Sequence, residues 1–291
     1  MSSVSEIRRR IQAVEQTKKI TGAMEMVSSG RMRRVMSHIE YNRRYFRYIR
    51  NAMLEIIDTV NDPDSVNHPY FTERENPTVT YVVISGDKGL CGSYNAQIIT
   101  AAENALREHP TAHLITLGNV AEDYFVRRGR TPDIAMYGIV QDPTMKSARS
   151  VARDLMRLFD EGLTDEINII YTSFYGETKG YPVTTRLLPI VVGDYNDADI
   201  GHYGSEIEYM PDRRAVFDRI VPQYIIGLLF GLMVQAYAGE HYARMNAMHS
   251  STQNAGDMLK ALKSQYNLAR QSAITNEIAE ISGAALAIDG K

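Results

Sequence analysis

Nine consecutive residues, Ser85-Gly86-Asp87-Lys88-Gly89-Leu90-Cys91-Gly92-Ser93, come nearest in this chain to a constellation that could do chemistry. They follow the apolar run VTYVVIS and precede a helical pattern that begins at Tyr94. A Gly-rich loop between a strand and a helix is where nucleotide-binding folds hold phosphate, because backbone N–H groups and a helix N-terminus converge there. The spacing does not fit that use. The glycines stand three apart, so there is no GxGxxG, and no Gly-Lys-Ser/Thr follows at P-loop spacing. A tight turn needing positive φ is the expected role of the loop. Cys91 is the single cysteine, so an intramolecular disulfide and a Cys-based metal site are both excluded. It would be reactive only if exposed in an electropositive setting, and it is expected to be a bystander. The seven histidines include no HxH or HExxH. No Ser-His-Asp order or paired-carboxylate motif stands out, although such sites are spatial and not sequential. The expectation is no catalytic residue, no metal ligand and no cofactor.

The elements that would have to position this loop alternate between strand and helix. Residues 79–85 read as a buried strand, 94–109 as a helix, 112–117 as a strand and 120–128 as a helix. Residues 134–139 read as a short strand, 145–159 as a helix and 167–174 (INIIYTSF) as a strand, with 183–190 a candidate pairing strand. This alternation implies a partly parallel sheet covered by helices. An acidic, Tyr- and Gly-rich loop closes the segment at about 193–210. Residues 61–78, with three prolines, read as a linker.

Both ends of the chain follow another period. In alternating steps of four and three from Ile7 to Val60, eleven of sixteen positions are apolar, the mark of a helix supercoiling against a partner. The polar members between Lys18 and Ser28 mark either a looser stretch of coil or one that faces something other than a helix. Ser5 is the expected cap and Asn61-Asp62-Pro63 the expected stop. A second seam runs Met248, Thr252, Ala255, Leu259, Leu262, Tyr266, Ala269 and Ala273. It then shifts phase to Ile274, Ile278, Ile281, Ala285 and Ile288, which alters the supercoil locally. Pro222 either starts or kinks this helix. Helices of this length need a partner, so the two are expected to pair with each other in antiparallel fashion. Alanines, Thr252, Gly256 and Gly283 bury less than leucines would, at about 0.8 kcal/mol per CH₂. The tip is therefore a weak coil, or other proteins sleeve it and supply the missing burial. The expected fold class is α/β: a long antiparallel coiled coil of the N- and C-terminal helices with an inserted Rossmann-like domain. Its divisions are 1–60 (first helix), 61–78 (linker), 79–211 (α/β domain with the acidic loop) and 212–291 (last helix).

Composition sets the class. The chain has 291 residues, 44% hydrophobic and 23% charged, which excludes wholesale disorder. Residues 1–60 carry 12 Lys/Arg against 6 Asp/Glu, a net +6, which leaves −9 elsewhere in a chain whose total is −3. Nucleic-acid binding by this positive arm is disfavoured, because its arginines are dispersed round the helix with acids among them. A solvated positive helix, or one facing an acidic protein partner, fits better. The opening MSSVSEIRRR has no apolar core, so neither a secretory signal nor a transit peptide is expected. Residues 220–239 are free of charge and long enough to span a bilayer. Their Pro, Gln, Tyr and Gly content favours a helix buried within its own protein.

Two segments carry a family resemblance. Residues 7–34, IRRRIQAVEQTKKITGAMEMVSSGRMRR, and residues 240–288, EHYARMNAMHSSTQNAGDMLKALKSQYNLARQSAITNEIAEISGAALAI, resemble the two ends of the gamma subunits of F-type ATP synthases. GDKGLCG resembles that family's short loop after its first sheet strand. The most specific stretches are ITGAMEMV and ARMNAM…NAGD…YNLARQSAIT.

The resemblance implies a central rotating shaft that does no bond chemistry. Its terminal helices would form an asymmetric coil inside three alpha and three beta subunits, and its α/β domain would meet the epsilon subunit and the ring of c subunits. Proton or sodium flow would turn it and bias each beta subunit among open, loose and tight states by differential contact. Arg270 and Gln271 match residues that touch beta near the upper coil. Met24, Arg31 and Arg34 match the region facing beta's acidic lever, and Tyr209 matches the foot that meets the c ring. Gly22 and Gly30 depart from the family, which often has Lys at the first position and a helix-favouring or small residue at the second. The single cysteine and the absence of a regulatory insertion imply a bacterial form, peripheral on the cytoplasmic face of the cell membrane. The alternative kept beside this is a nucleotide-binding α/β enzyme with a coiled-coil arm.

Overall fold

The computed structural model describes residues 4–58, 68–174, 180–190, 210 and 212–289. In chain order the elements are α1 (Val4–Asp58), β1 (Val79–Ile84), α2 (Tyr94–Glu108), β2 (His113–Leu117), α3 (Asn119–Arg127), β3 (Ile134–Met136), α4 (Met145–Asp160), β4 (Glu166–Ser173), β5 (Tyr181–Leu188) and α5 (Arg213–Asp289). The chain divides into two compact units, Ser29–Arg244 and the pairing of Met1–Ser28 with Met245–Lys291. These cuts fall inside α1 and α5, whereas the sequence pattern puts its divisions at element ends.

In the larger unit the strands lie in the order β3-β2-β1-β4-β5. β1 pairs in parallel with β2 and β4, β3 pairs in parallel with β2, and β5 runs antiparallel to β4 at the edge. β1 is apolar on both sides because both faces of the sheet are covered. Tyr81 and Val83 pack with Ile98, Ala102 and Leu106 of α2 and with Phe125 of α3. Val82 and Ile84 belong to the opposite core, with Val151, Leu155 and Phe159 of α4 and Val221, Tyr224 and Ile225 of α5. α4 opens with a capping box, in which the Ser147 backbone N–H donates to Thr144 Oγ1 at 3.1 Å and the Thr144 N–H donates to Ser147 Oγ at 3.0 Å.

Two expectations change. Residues 68–71, within the stretch read as linker, are packed. A 3-10 turn, Pro69–Phe71, buries Tyr70, whose hydroxyl donates to Asp160 at 2.9 Å, and the Phe71 ring lies 5.4 Å from that of Phe217. The aromatics outweigh the prolines there. Pro222 does not start α5, which begins at Arg213 behind Asp212, whose carboxylate accepts from Ala215 N–H at 2.8 Å. Ser5 lies in the first turn of α1 as that helix is described from Val4. The 61–63 turn and the acidic loop to Tyr209 lie outside the described residues. α5 does contain a stretch apolar enough to cross a membrane, with mean hydropathy 1.5, but 67% of it is buried in the protein itself. That is the buried core helix the sequence favours.

In the smaller unit, α1 and α5 run antiparallel. Glu25 meets His249 at 2.9 Å, Thr21 meets Thr252 at 2.7 Å, and Glu15 meets Lys263 at 3.5 Å, so numbers fall on one helix as they rise on the other. The polar stretch of the first seam is not loose. Thr21 and Ser28 are buried, while Met26 and Val27 beside the seam point to solvent. A small hydroxyl lets the helices approach, and the Thr21–Thr252 hydrogen bond satisfies both side chains where a methyl contact would otherwise have served.

Candidate partner-binding site

The loop after β1 is built against its own protein. Ser85 Oγ accepts from Ala121 N–H at 3.1 Å, and Gly118, at φ 108°, passes so close that a Cβ there would stand 2.3 Å from the Ser85 carbonyl. Gly92 takes the expected positive φ of 59°, but so does Leu90, at 61°. Gly86 serves a different purpose. A Cβ on it would stand 3.0 Å from the Glu240 carboxyl carbon and 3.1 Å from Asn95 Oδ1. It is a glycine because helix α5 passes over it.

That approach closes the crevice at the carboxyl ends of the strands, where open α/β sheets admit ligands at the point of strand-order reversal. Gly239 of α5 sits against Thr172 and Phe174 at the end of β4, and the Tyr94 hydroxyl at the start of α2 donates to the Ala236 carbonyl at 3.0 Å. Glu240 fills the place beside Gly86 where a phosphate would have to lie. Arg244, one turn on, donates to Glu240 Oε1 at 2.5 Å and to the carbonyls of Lys88 and Gly89 at 3.3 and 3.2 Å. Asn95 completes the tie, accepting from Gly86 N–H at 2.9 Å and donating to the Lys88 carbonyl at 3.3 Å. Glu240 and Arg244 are each only 8% exposed.

Burial governs the titration of this cluster. It raises the Glu240 carboxyl against the opposing pull of Arg244, and it raises the Cys91 thiol, which is buried and so poorly placed for reaction. It lowers His241 to about 4, helped by the positive charges of Arg244 and Arg31. His241 Nδ1 is buried without a hydrogen-bond partner, and its ring lies 4.4 Å from that of Tyr237. Among the described residues no three His, Cys, Asp or Glu side chains converge as metal ligands do.

The side chains singled out from the sequence lie on the long helices. Arg270 and Gln271 are adjacent and exposed on α5, next to Leu268, which is 68% exposed, and to the exposed Ile274 and Ile278. Met24 is half-buried on the segment of α1 in the smaller unit. Arg31 and Arg34 are exposed one turn apart in the larger unit, so they form a local pair. Tyr209 lies outside the described residues. The sequence pattern singles out none of Glu240, His241 and Arg244. The available signal is a Glu and an Arg four apart at the end of a long uncharged run, the spacing of an ion pair on one helix face.

The comparisons with known proteins agree along the whole chain. A family model described as ATP synthase matches residues 3–288. The ATP synthase gamma chain of Heliobacterium modesticaldum is 34% identical over 292 residues, covering 99% of this chain and 100% of its own length. That of Symbiobacterium thermophilum is 37% identical, covering 98% of each. Among solved structures, a chain of the Euglena gracilis mitochondrial ATP synthase (OSCP, F1 and c-ring) superposes with TM-score 0.67 at 14% identity, over 98% of this chain and 94% of that one. A chain from the Tetrahymena thermophila mitochondrial ATP synthase central stalk and c-ring gives 0.60 at 21%, over 79% and 98%.

Proposed function

The chain belongs to the ATP synthase gamma family and is the central-stalk subunit of an F-type ATP synthase, and on that premise we propose how it engages its partners. The α1–α5 coil stands inside three alpha and three beta subunits. Arg270 and Gln271 meet beta near the upper coil, and Met24, Arg31 and Arg34 meet its acidic lever. The domain of residues 79–211 meets epsilon and the c ring, with Tyr209 at the foot. The neighbouring structures come from complexes that include a c-ring, which favours that placement. The ion, proton or sodium, turns the ring, and the complex is peripheral on the cytoplasmic face of a bacterial membrane.

One observation carries this reading. The C-terminal part of α5 exposes Leu268, Ile274, Ile278 and Ile281 beside Arg270, a run of apolar surface that a partner would cover. The chain acts by differential contact and not by bond chemistry, since a shaft can bias a catalytic subunit only as far as it binds its states unequally. Co-expression with alpha and beta subunits tests this. The chain should co-purify with three of each, and Arg270→Ala with Gln271→Ala should weaken that association or its turnover. Recovery of the chain alone, with unaltered behaviour of the double variant, would refute the assignment. The nucleotide-enzyme alternative predicts stoichiometric ATP or NAD binding in equilibrium dialysis. The filled crevice beside Gly86 argues for none.

A further inference from the structure

The larger unit holds its sheet against α5 mainly through apolar side chains: Val82, Ile84 and Tyr171 on one side, Val221, Ile225 and Leu229 on the other. Apolar contacts are strong but non-directional. They resist separation better than they resist sliding or twisting. A shaft that transmits torque through this unit needs at least one contact with a fixed direction between helix and sheet. Tyr94, donating to the Ala236 carbonyl, and Gln235, accepting from Phe174 N–H at 3.4 Å, supply neutral ones, and Glu240 with Arg244 supplies the charged one. One guanidinium nitrogen of Arg244 reaches the Lys88 carbonyl, the Gly89 carbonyl and the Glu240 carboxylate together, at 3.3, 3.2 and 2.5 Å. Charge-assisted bonds of this kind are the strong and orientation-sensitive ones. The pair is buried, so water competes poorly for it. The loop it grips is stiffened at its other side by Asn95, and Gly86 lies flat under Glu240, so the loop cannot move along α5 without breaking the set.

We infer that Arg244, oriented by Glu240, is a positioning residue that locks the loop of residues 85–92 to α5 so that sheet and helix turn as one body. The inference rests on the rotor assignment and adds a determinant of coupling buried within the subunit itself. Loss of the lock lets the sheet lag behind the helix, so ATP is hydrolysed with fewer ions moved.

The test uses the complete complex in sealed vesicles, with Arg244→Ala, Arg244→Lys and Glu240→Gln. Two quantities are read: ions pumped per ATP hydrolysed, and hydrogen exchange of the amides of residues 85–92 against those of β1. The expected result is a several-fold fall in pumping per ATP for Arg244→Ala, with faster exchange in the loop and unchanged exchange in β1. Arg244→Lys, which keeps the charge but lacks the guanidinium's reach, should recover part of both, and Glu240→Gln should show a milder loss of the same kind. Faster loop exchange with normal pumping per ATP would reduce the pair to a purely structural role and overturn the inference. So would a loss of pumping with no change in loop exchange. If Arg244→Ala does not assemble, Glu240→Gln, which keeps the shape of the side chain, is read by the same two quantities and decides in the same way. Failure of the unaltered chain to assemble with alpha and beta subunits would overturn the rotor assignment itself, and is recognised before any variant is made.

Discussion

Arg270 is exposed on α5 with apolar neighbours on the same stretch, a setting in which a charged fork can be made and broken without the cost of deep burial. A net hydrogen bond to a charged group is worth about 1.5–3 kcal/mol. That is small beside the roughly 8–23 kcal/mol by which catalysis lowers a barrier. Arg270→Ala should therefore lower multisite ATP turnover of the assembled complex by about ten- to hundredfold, at about 1.4 kcal/mol per factor of ten. It should leave hydrolysis of a single bound ATP on beta largely intact. Parallel loss of both would place the residue in the chemistry and sink the assignment. Positions such as Arg270 are legible only through the likeness of YNLARQSAIT to a family, since an exposed Arg on a helix has no pattern of its own. Glu240 and Arg244 have a pattern, the four-residue spacing. Its meaning depends on the loop that folds against them, more than 140 positions earlier in the chain, and no local pattern reports such a contact.

α1 and α5 are legible as elements, because a repeat of threes and fours persists through a helix whatever it packs against. Which seam positions are buried is less legible. Hydropathy favours Met26 and Val27, while close approach of the two backbones selects Thr21 and Ser28. The inner sheet strands are readable from their apolar runs. The packed turn at residues 69–71 is hidden by its prolines. Gly22 and Gly30 lie in the body of α1, and an added Cβ at either meets nothing within 4 Å. Gly22→Ala and Gly30→Ala should each stabilise the chain by about 1 kcal/mol, the helix propensity difference. Calorimetry should show a rise of about 2–4 °C in melting temperature for each, and a fall would reveal a required bend. On α5, His241 is held neutral down to about pH 4 against an ordinary value of 6.5. Unfolding between those values takes up a proton, so this residue makes stability fall as pH drops from 6.5 towards 4. Glu240, raised by burial, contributes with the opposite sign, and Arg31 and Arg244 face the same cluster. The difference between the parent chain and His241→Gln isolates the histidine. Denaturant titrations across this window should show a shallower acid loss for the variant. Equal slopes would mean that His241 charges freely in the folded state.

A rotor must carry torque along its length without its parts working against one another. In the smaller unit the two helices are tied by polar contacts at successive levels, Glu25–His249, Thr21–Thr252 and Glu15–Lys263, across a seam that buries little apolar area. The exposed Glu15–Lys263 ion pair contributes about 0.2–1 kcal/mol. The ties therefore fix register more than they add stability, and the assembled complex has to supply the remaining cohesion. The question is whether α1 and α5 slide or twist past each other during a cycle. The hydroxyls of Thr21 and Thr252 are 2.7 Å apart, which brings the two positions within reach of a disulfide, whose Cβ atoms stand about 3.5–4.5 Å apart. The native Cys91 is buried and does not compete for the bond. Thr21→Cys with Thr252→Cys, oxidised in the assembled complex, should close efficiently and keep the ATP turnover and ion pumping of the reduced form, because a body that turns as a whole loses nothing when two of its parts are joined. If oxidation arrests turnover and a thiol reductant restores it, the helices move against each other in every cycle, and the coil is then a mechanism with an internal degree of freedom instead of a rigid axle.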